Sequence, residues 1–365
     1  MAFSLVPKES KNQIKQAGQI LIKDKPSDEE LAWARDLADR WRACHAYPIN
    51  TFQSTLRRKL MSFSSDIIVA QRLKRMPTII DKLKRFHTMQ LTTMQDIGGV
   101  RAVLGSVPDV YKLANEYRKP SQKQGQSNFT HELIDEKDYI KNPRNEDGYR
   151  SLHLIYKYKN KRNPQYDGLR LELQIRTKLQ HIWATAVETM GTFLGQALKS
   201  RRGDQEWLRF FAITSSAFAY NEKSSPVPCY KDLSYNETIL EISKAEANLR
   251  ALDKMRGFSV AVNEIVKTRK SWFYHLIILN SIERSVQIRA YDRESLKQAT
   301  MDYSKFEAEA AQGKKIEPVL VSAGPIEKLR RAYPNFFLDI DDFVKIVGEI
   351  ISSVKILNGN KNLNK

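Results

Sequence analysis

Hydrophobic positions along the chain recur with two periods. In "SDEELAWARDLADRWRACH" (27–45), Leu31, Ala34, Leu37, Ala38 and Trp41 repeat at three- and four-residue spacing, which marks one face of a helix. Ser27 and Glu30 supply a capping box for its start. The same reading predicts helices over 49–62, 77–86, 108–118, 177–199 and 203–220, with Thr78 and Asp81 in capping positions for the 77–86 helix. "VRAVLGS" (100–106) reads as a short buried strand. "HLIYKYK" and "LRLELQI" alternate with period two and predict a hairpin joined by the long loop "NKRNPQYDG".

Further on, "NEKSSPVPCYKDLS" (221–234) has no periodicity and is rich in Ser and Pro, as a linker would be. A helix over about 235–256 is expected to stop at Gly257. Strands at 272–280, 284–291 and 316–321 and helices at 294–311, 325–332 and 340–354 follow. The expectation is an α+β protein: a first domain over 1–220, a linker over 221–234, and a small α+β domain with its connecting helix over 235–365.

Composition narrows this picture. The 365 residues suit two domains, and 41% hydrophobic with 28% charged residues fits a globular chain. The longest apolar run, "WFYHLIIL" (272–279), is strand length, far from the roughly 18 residues of a membrane span. The start "MAFSLVPKESKNQIK" lacks the layout of a signal peptide, so a cytoplasmic protein with no membrane partner is expected. Two isolated cysteines and six scattered histidines give neither a disulfide framework nor a structural metal site. Net charge is +18, and residues 1–210 carry 37 Lys+Arg against 23 Asp+Glu. That excess suggests a polyanionic partner, although a merely basic soluble protein has the same composition.

Four segments carry polar residues that a core does not need. "RLKRMPTIIDKLKRF" (72–86) brackets a helix start with cations, where free N–H groups already favour phosphate. "QDIGGVRAV" (95–103) sets Asp96 before two glycines and a strand. A carboxylate there suits Mg²⁺, though turns use Asp as well. In "GLRLELQIRT" (168–177) the apolar residues share one face, and Arg170, Glu172, Gln174 and Arg176 share the other. In "NEDGYRSLHL" (145–154) a turn delivers Tyr149 and Arg150 to a strand on which His153 can join Glu172 and Gln174 if the two strands pair. Asp96 and Glu172 would then be two carboxylates able to share one metal ion, the inventory of phosphoryl transfer.

"RLKRMPTIIDKL", "QDIGGVRAV", "KDYIKNPRNEDGYRSLH" and "LELQIRTKLQHIWATAVE", in this order and spacing, resemble the synthetase domain of the RelA/SpoT homologue family over about residues 50–200. The resemblance implies a nucleotidyltransferase-like mixed sheet flanked by helices. It also implies an ATP pyrophosphokinase, in which an acceptor hydroxyl attacks the β-phosphorus of ATP and AMP leaves. By the same motifs, Asp96 is expected to ligate Mg²⁺, and Glu172 to ligate it or to activate the 3′-hydroxyl. Arg72 and Arg101 would sandwich adenine, while Lys74, Thr78 and Lys82 hold the ATP phosphates. Tyr149 would stack on the acceptor base, with Arg144, His153, Gln174 and His181 on the acceptor side.

The whole chain is similar to one branch, the fused toxin–antitoxin members of the CapRel type. "RAYPNFFLDIDDFV" (331–344) resembles that branch's aromatic tail, which blocks the ATP site through Tyr-x-x-Tyr; here the pair is Tyr333 and Phe336. This likeness implies a degenerate zinc-finger-like regulatory domain. It implies a tRNA 3′-CCA end as acceptor, and a phage capsid or other phage structural protein as activator. It also implies a monomer, because enzyme and inhibitor share one chain. Glu146 and Asp147 depart from the alarmone-making relatives and would repel a guanine polyphosphate, which bears on the alternative of a (p)ppGpp or ppApp synthetase. A third reading, an inactive RNA-binding or capsid-sensing module, leaves the joint presence of Asp96, Arg101, Tyr149 and Glu172 unexplained. Tyr149, at a loop edge, is expected to matter for transfer and little for stability.

Overall fold

The structure, a computed structural model, describes residues 3–63, 67–118, 130–194, 205–267, 272–280, 283, 285–314, 316–322 and 336–362. The chain forms two compact units, one of residues 1–140 and 151–178, the other of residues 141–150 and 179–365.

The first unit runs α1 (Lys11–Ile20), α2 (Asp28–Ala43), α3 (Ala46–Leu60), β1 (Ile68–Leu73), α4 (Met76–Arg85), β2 (Gly98–Leu104), α5 (Val107–Arg118), β3 (Glu132–Asp138), β4 (Leu152–Lys157) and β5 (Arg170–Thr177). Its sheet has the order β1-β2-β5-β4-β3. β2 and β5 are parallel and the other pairs antiparallel, so the sheet is mixed, as expected. The alternation in β4 and β5 has its predicted consequence. Leu152, Leu154, Tyr156, Leu171, Leu173 and Ile175 join Phe52 and Leu56 of α3 and Leu113 of α5 in one core. The intervening residues are left on the opposite face.

The start of α2 has the predicted reciprocal Ser27–Glu30 cap. The start of α4 does not follow prediction. Arg75 is its cap residue, with no side-chain cap, and Pro77 lies in the first turn, so Thr78 and Asp81 are already inside the helix. Proline's fixed φ suits that first turn.

The second unit holds α6 (Lys178–Phe193), α7 (Gln205–Asn221), α8 (Tyr235–Leu249), α9 (Ala251–Lys267), β6 (Tyr274–Asn280), β7 (Ser285–Tyr291), α10 (Leu296–Ala311), β8 (Ile316–Ser322) and α11 (Phe336–Asn362). β6 is central in an antiparallel sheet of order β7-β6-β8. The helix expected over 235–256 is two helices. Arg250 takes a left-handed conformation (φ 52°) between α8 and α9, and α9 runs through Gly257 without stopping. The predicted 325–332 helix lies outside the described residues, and 340–354 falls within α11. Contacts assign residues 179–220 to the second unit, where the sequence reading assigned them to the first domain. Within 221–234, Val227 is buried and its N–H donates to Ser216 Oγ at 3.0 Å. No helix among the described residues is long and apolar enough to cross a membrane.

Candidate functional site

Register builds the polar face of the first unit's sheet. Arg72 pairs with Gly99, Gly99 with Glu172, Arg101 with Gln174, and Gln174 with His153. Alternation therefore sends Arg101, Glu172, Gln174 and His153 to the same side of three adjacent strands. Glycine permits the close approach of β2 to β5, since a Cβ on Gly98 would stand 2.8 Å from a Leu171 methyl and 3.1 Å from Ile49. Gly98 thus serves core packing.

The side chains form a hydrogen-bonded row. His153 Nδ1 lies 2.8 Å from Glu172 Oε1. Gln174 Nε2 donates to Glu172 Oε2 at 2.6 Å, and its Oε1 accepts from Arg101 Nε and Nη2, both at 3.2 Å. Burial pushes the Glu172 carboxyl up, but the His153 partner and the Gln174 amide outweigh it and hold the group below its ordinary range. The Asp96 carboxylate also acts on Glu172 electrostatically, in the opposite sense.

Asp96, just before β2, is held between two ammonium groups. Lys74 Nζ donates to Oδ2 at 2.7 Å from the end of β1, and Lys82 Nζ donates to Oδ1 at 2.9 Å from α4. Burial raises the Asp96 carboxyl, and the two lysines override it, so the group stays ionised far into acid. Burial lowers Lys74, Asp96 restores part of that loss, and neighbouring Arg72 opposes it. Thr78 is half-buried in the first turn of α4 and Arg72 is exposed. Lys74 and Lys82, expected to hold the ATP phosphates, and Asp96, the expected metal ligand, are therefore one ion cluster.

Two carboxylates close enough to perturb each other, with no group of three metal-ligating side chains among the described residues, make a sparse donor set. It fits Mg²⁺, which takes one or two carboxylates and completes its shell with water and phosphate oxygens.

The other predicted residues belong to the second unit. Arg144 Nη2 donates to Asp147 Oδ2 at 2.5 Å, and the Arg144 guanidinium lies 4.4 Å from the Tyr149 ring centroid. Asp147 Oδ1 accepts from the Tyr149 N–H at 2.9 Å. Asp147 is 1% and Tyr149 6% exposed, so the turn closes on itself. This corrects two expectations. Tyr149 is no loop-edge ring, and Asp147 is a fold residue, which leaves exposed Glu146 as the acidic group of the turn. Gly148 has φ +77°, and a Cβ there would stand 2.8 Å from Ala212 and Ser215, so only glycine fits. His181 is buried on α6. Tyr333 lies outside the described residues, and Phe336 is the first residue of α11.

Sequence reasoning missed two neighbours. Tyr139 meets His153 edge-on at 5.4 Å, and Trp183 lies 6.3 Å from Tyr149. The first contact depends on β3, which carries no clear alternation. For the second, the signal was a Trp on the apolar stripe of the 177–199 helix.

Residues 71–191 match the model of the region found in RelA/SpoT proteins, and the match contains every candidate residue from Arg72 to His181. This segment resembles a RelA/SpoT region. Over 120 residues the chain is 30% identical to the GTP pyrophosphokinase YwaC of Bacillus subtilis, covering 31% of this chain and 52% of that one. Over 119 residues it is 32% identical to the GTP pyrophosphokinase YjbM of the same organism, covering 32% and 52%. The chain thus spans about half the length of the curated relatives it matches. Among solved structures, small alarmone synthetase 1 from Bacillus subtilis bound to pppGpp aligns with a TM-score of 0.40 and 23% identity, over 51% of this chain and 92% of that one. The matched segment holds the whole row from Arg101 to His153 and the Asp96 cluster.

Proposed function

We propose that the chain is an ATP-dependent pyrophosphokinase whose acceptor is the 3′-hydroxyl of a tRNA CCA end. The observation that carries the transferase reading is the pairing of the Asp96–Lys74–Lys82 cluster with an ionised Glu172 held by His153 and Gln174. On ATP binding, Lys74 and Lys82 exchange Asp96 for phosphate oxygens, and Arg72 and Arg101 take the adenine. Asp96 and Glu172 would hold Mg²⁺, which supplies charge neutralisation to the polyphosphate. Glu172 accepts the proton of the acceptor hydroxyl as its oxygen bonds to the β-phosphorus. The bond from that phosphorus to the α,β-bridging oxygen breaks, and AMP leaves with that oxygen. His153 and Gln174 keep the Glu172 carboxylate oriented throughout.

The RNA acceptor is supported by the +14 balance of residues 1–210, because phosphate contacts dominate RNA binding. Modified tRNA could not be aminoacylated, and translation would stop. The tail around Tyr333 and Phe336 would restrain the enzyme until a phage structural protein releases it; this rests on the sequence motif alone. A second reading, an alarmone synthetase with a guanine or adenine nucleotide acceptor, is favoured by Asp147, which is buried and paired with Arg144 and so does not repel a polyphosphate.

The test is to incubate wild-type and Tyr333→Ala protein with γ-labelled ATP and Mg²⁺, supplying bulk tRNA, GDP or GTP, and to follow the label. Label on tRNA, lost in Glu172→Gln, is expected. Label on a nucleotide instead moves the assignment to the second reading. No transfer to any acceptor by either protein overturns the pyrophosphokinase.

A further inference from the structure

Five side chains of the second unit form a continuous row of contacts, its rings tilted or edge-on to one another. It starts with the Arg144 guanidinium on the Tyr149 ring at 4.4 Å. Ring centroids then follow at 6.3 Å from Tyr149 to Trp183, 6.2 Å from Trp183 to Phe211, and 6.0 Å from Phe211 to Phe343. All four rings are buried. The middle is pinned, because Trp183 Nε1 donates to the Phe211 carbonyl at 2.8 Å.

The row links four parts of the chain. Tyr149 ends the 144–149 turn, Trp183 lies on α6, Phe211 on α7, and Phe343 on α11, where it also meets Phe210 and Phe218. A second strap runs beside it. Ser215 Oγ on α7 donates to the Gly148 carbonyl at 2.6 Å, Arg150 donates to Ser224 Oγ, and the Cys229 N–H donates to Asn145 Oδ1 at 2.8 Å. α7 therefore carries the turn on one side and Phe343 on another.

We propose that α11, through Phe343, positions the 144–149 turn and so makes the C-terminal helix a control on acceptor binding. The proposal rests on the reading of Tyr149 as the acceptor-stacking residue. The control differs from a tail laid over the ATP site, because it reaches the acceptor side by packing alone. Protein interiors are close-packed, and a ring removed from a stack leaves space that neighbours fill by moving. Withdrawal of Phe343 leaves Phe211 room to move. Trp183, edge-on to the Phe211 ring, follows it, and Tyr149 loses its support.

The test compares Phe343→Leu and Phe343→Met with a control, Phe258→Leu, which removes an equally buried ring stacked on Phe193 at 4.3 Å. Each is made with 5-fluorotryptophan, and the Trp183 fluorine resonance is assigned with Trp183→Phe. In both Phe343 variants the Trp183 resonance should shift, with the KM for the labelled acceptor rising about fivefold or more and the KM for ATP unchanged. Phe258→Leu should do neither. An unmoved Trp183 resonance in both Phe343 variants overturns the proposal, as does an equal rise in both KM values. If wild type transfers label to no acceptor, the functional reading fails, and the Trp183 resonance still decides whether the coupling exists.

Discussion

Tyr149 shows how a residue's job depends on what folds around it. Its ring lies between the Arg144 guanidinium and Trp183 and is 6% exposed, so truncation removes a packed aromatic. Tyr149→Ala should cost about 3 kcal/mol, in the range of buried aromatic truncations, and thermal melting reads this as a drop of several degrees. A melt of Tyr149→Ala equal to wild type would return the ring to the exposed role that its turn sequence suggested. That suggestion failed for a physical reason: its partners on α6 and α7 lie more than thirty residues away, and local sequence does not report them. By contrast, the meeting of His153 and Glu172 was legible, because alternation places both on one face once the two strands pair.

At the scale of elements, the α8–α9 break turns on Glu246. Its carboxylate accepts from the Leu252 N–H at 3.1 Å, at the start of α9. Burial nonetheless pushes this carboxyl up to about 7 from an ordinary 4.5. The folded protein thus holds this proton more tightly than the unfolded chain does. Stability from this group is fully present below the ordinary value and is lost as pH rises through about 7. Glu246→Gln keeps an acceptor without the titration. Relative to wild type, its melting temperature should rise between pH 5 and pH 8; a constant difference would place the Glu246 carboxyl in water.

Periodicity could not show this break, because the apolar stripe continues across Arg250, and one left-handed residue changes direction without changing pattern. Gly257 misled in the opposite sense, since a mid-helix glycine costs only about 1 kcal/mol and packing absorbs it. β1 and β3 also escaped. Gln71 and Arg72 break the pattern in "IVAQRL", and "ELIDEKD" is mostly charged. Both are edge strands, where charge is tolerated and guards against wrong pairing.

For the whole molecule, charge separates the two acceptor readings. The chain carries +18, of which +14 falls in residues 1–210, the part that contains the whole segment matching the RelA/SpoT model. A tRNA engages many phosphates at once, and each neutralised phosphate releases counterion, so affinity falls steeply with salt. A guanine nucleotide offers two or three phosphates in the site and releases little beyond it. If tRNA is the acceptor, its KM should rise at least about tenfold between 50 and 200 mM KCl, with the KM for ATP rising far less. If the acceptor is a nucleotide, the two KM values should climb together and modestly. Replacing exposed cations of α3, Arg57 together with Arg58, tests the same point. Under the tRNA reading the double substitution flattens the salt slope and leaves turnover at saturating acceptor unchanged. Slopes for tRNA and ATP that coincide in wild type would mean that the basic excess serves solubility, and the RNA acceptor would lose its main support.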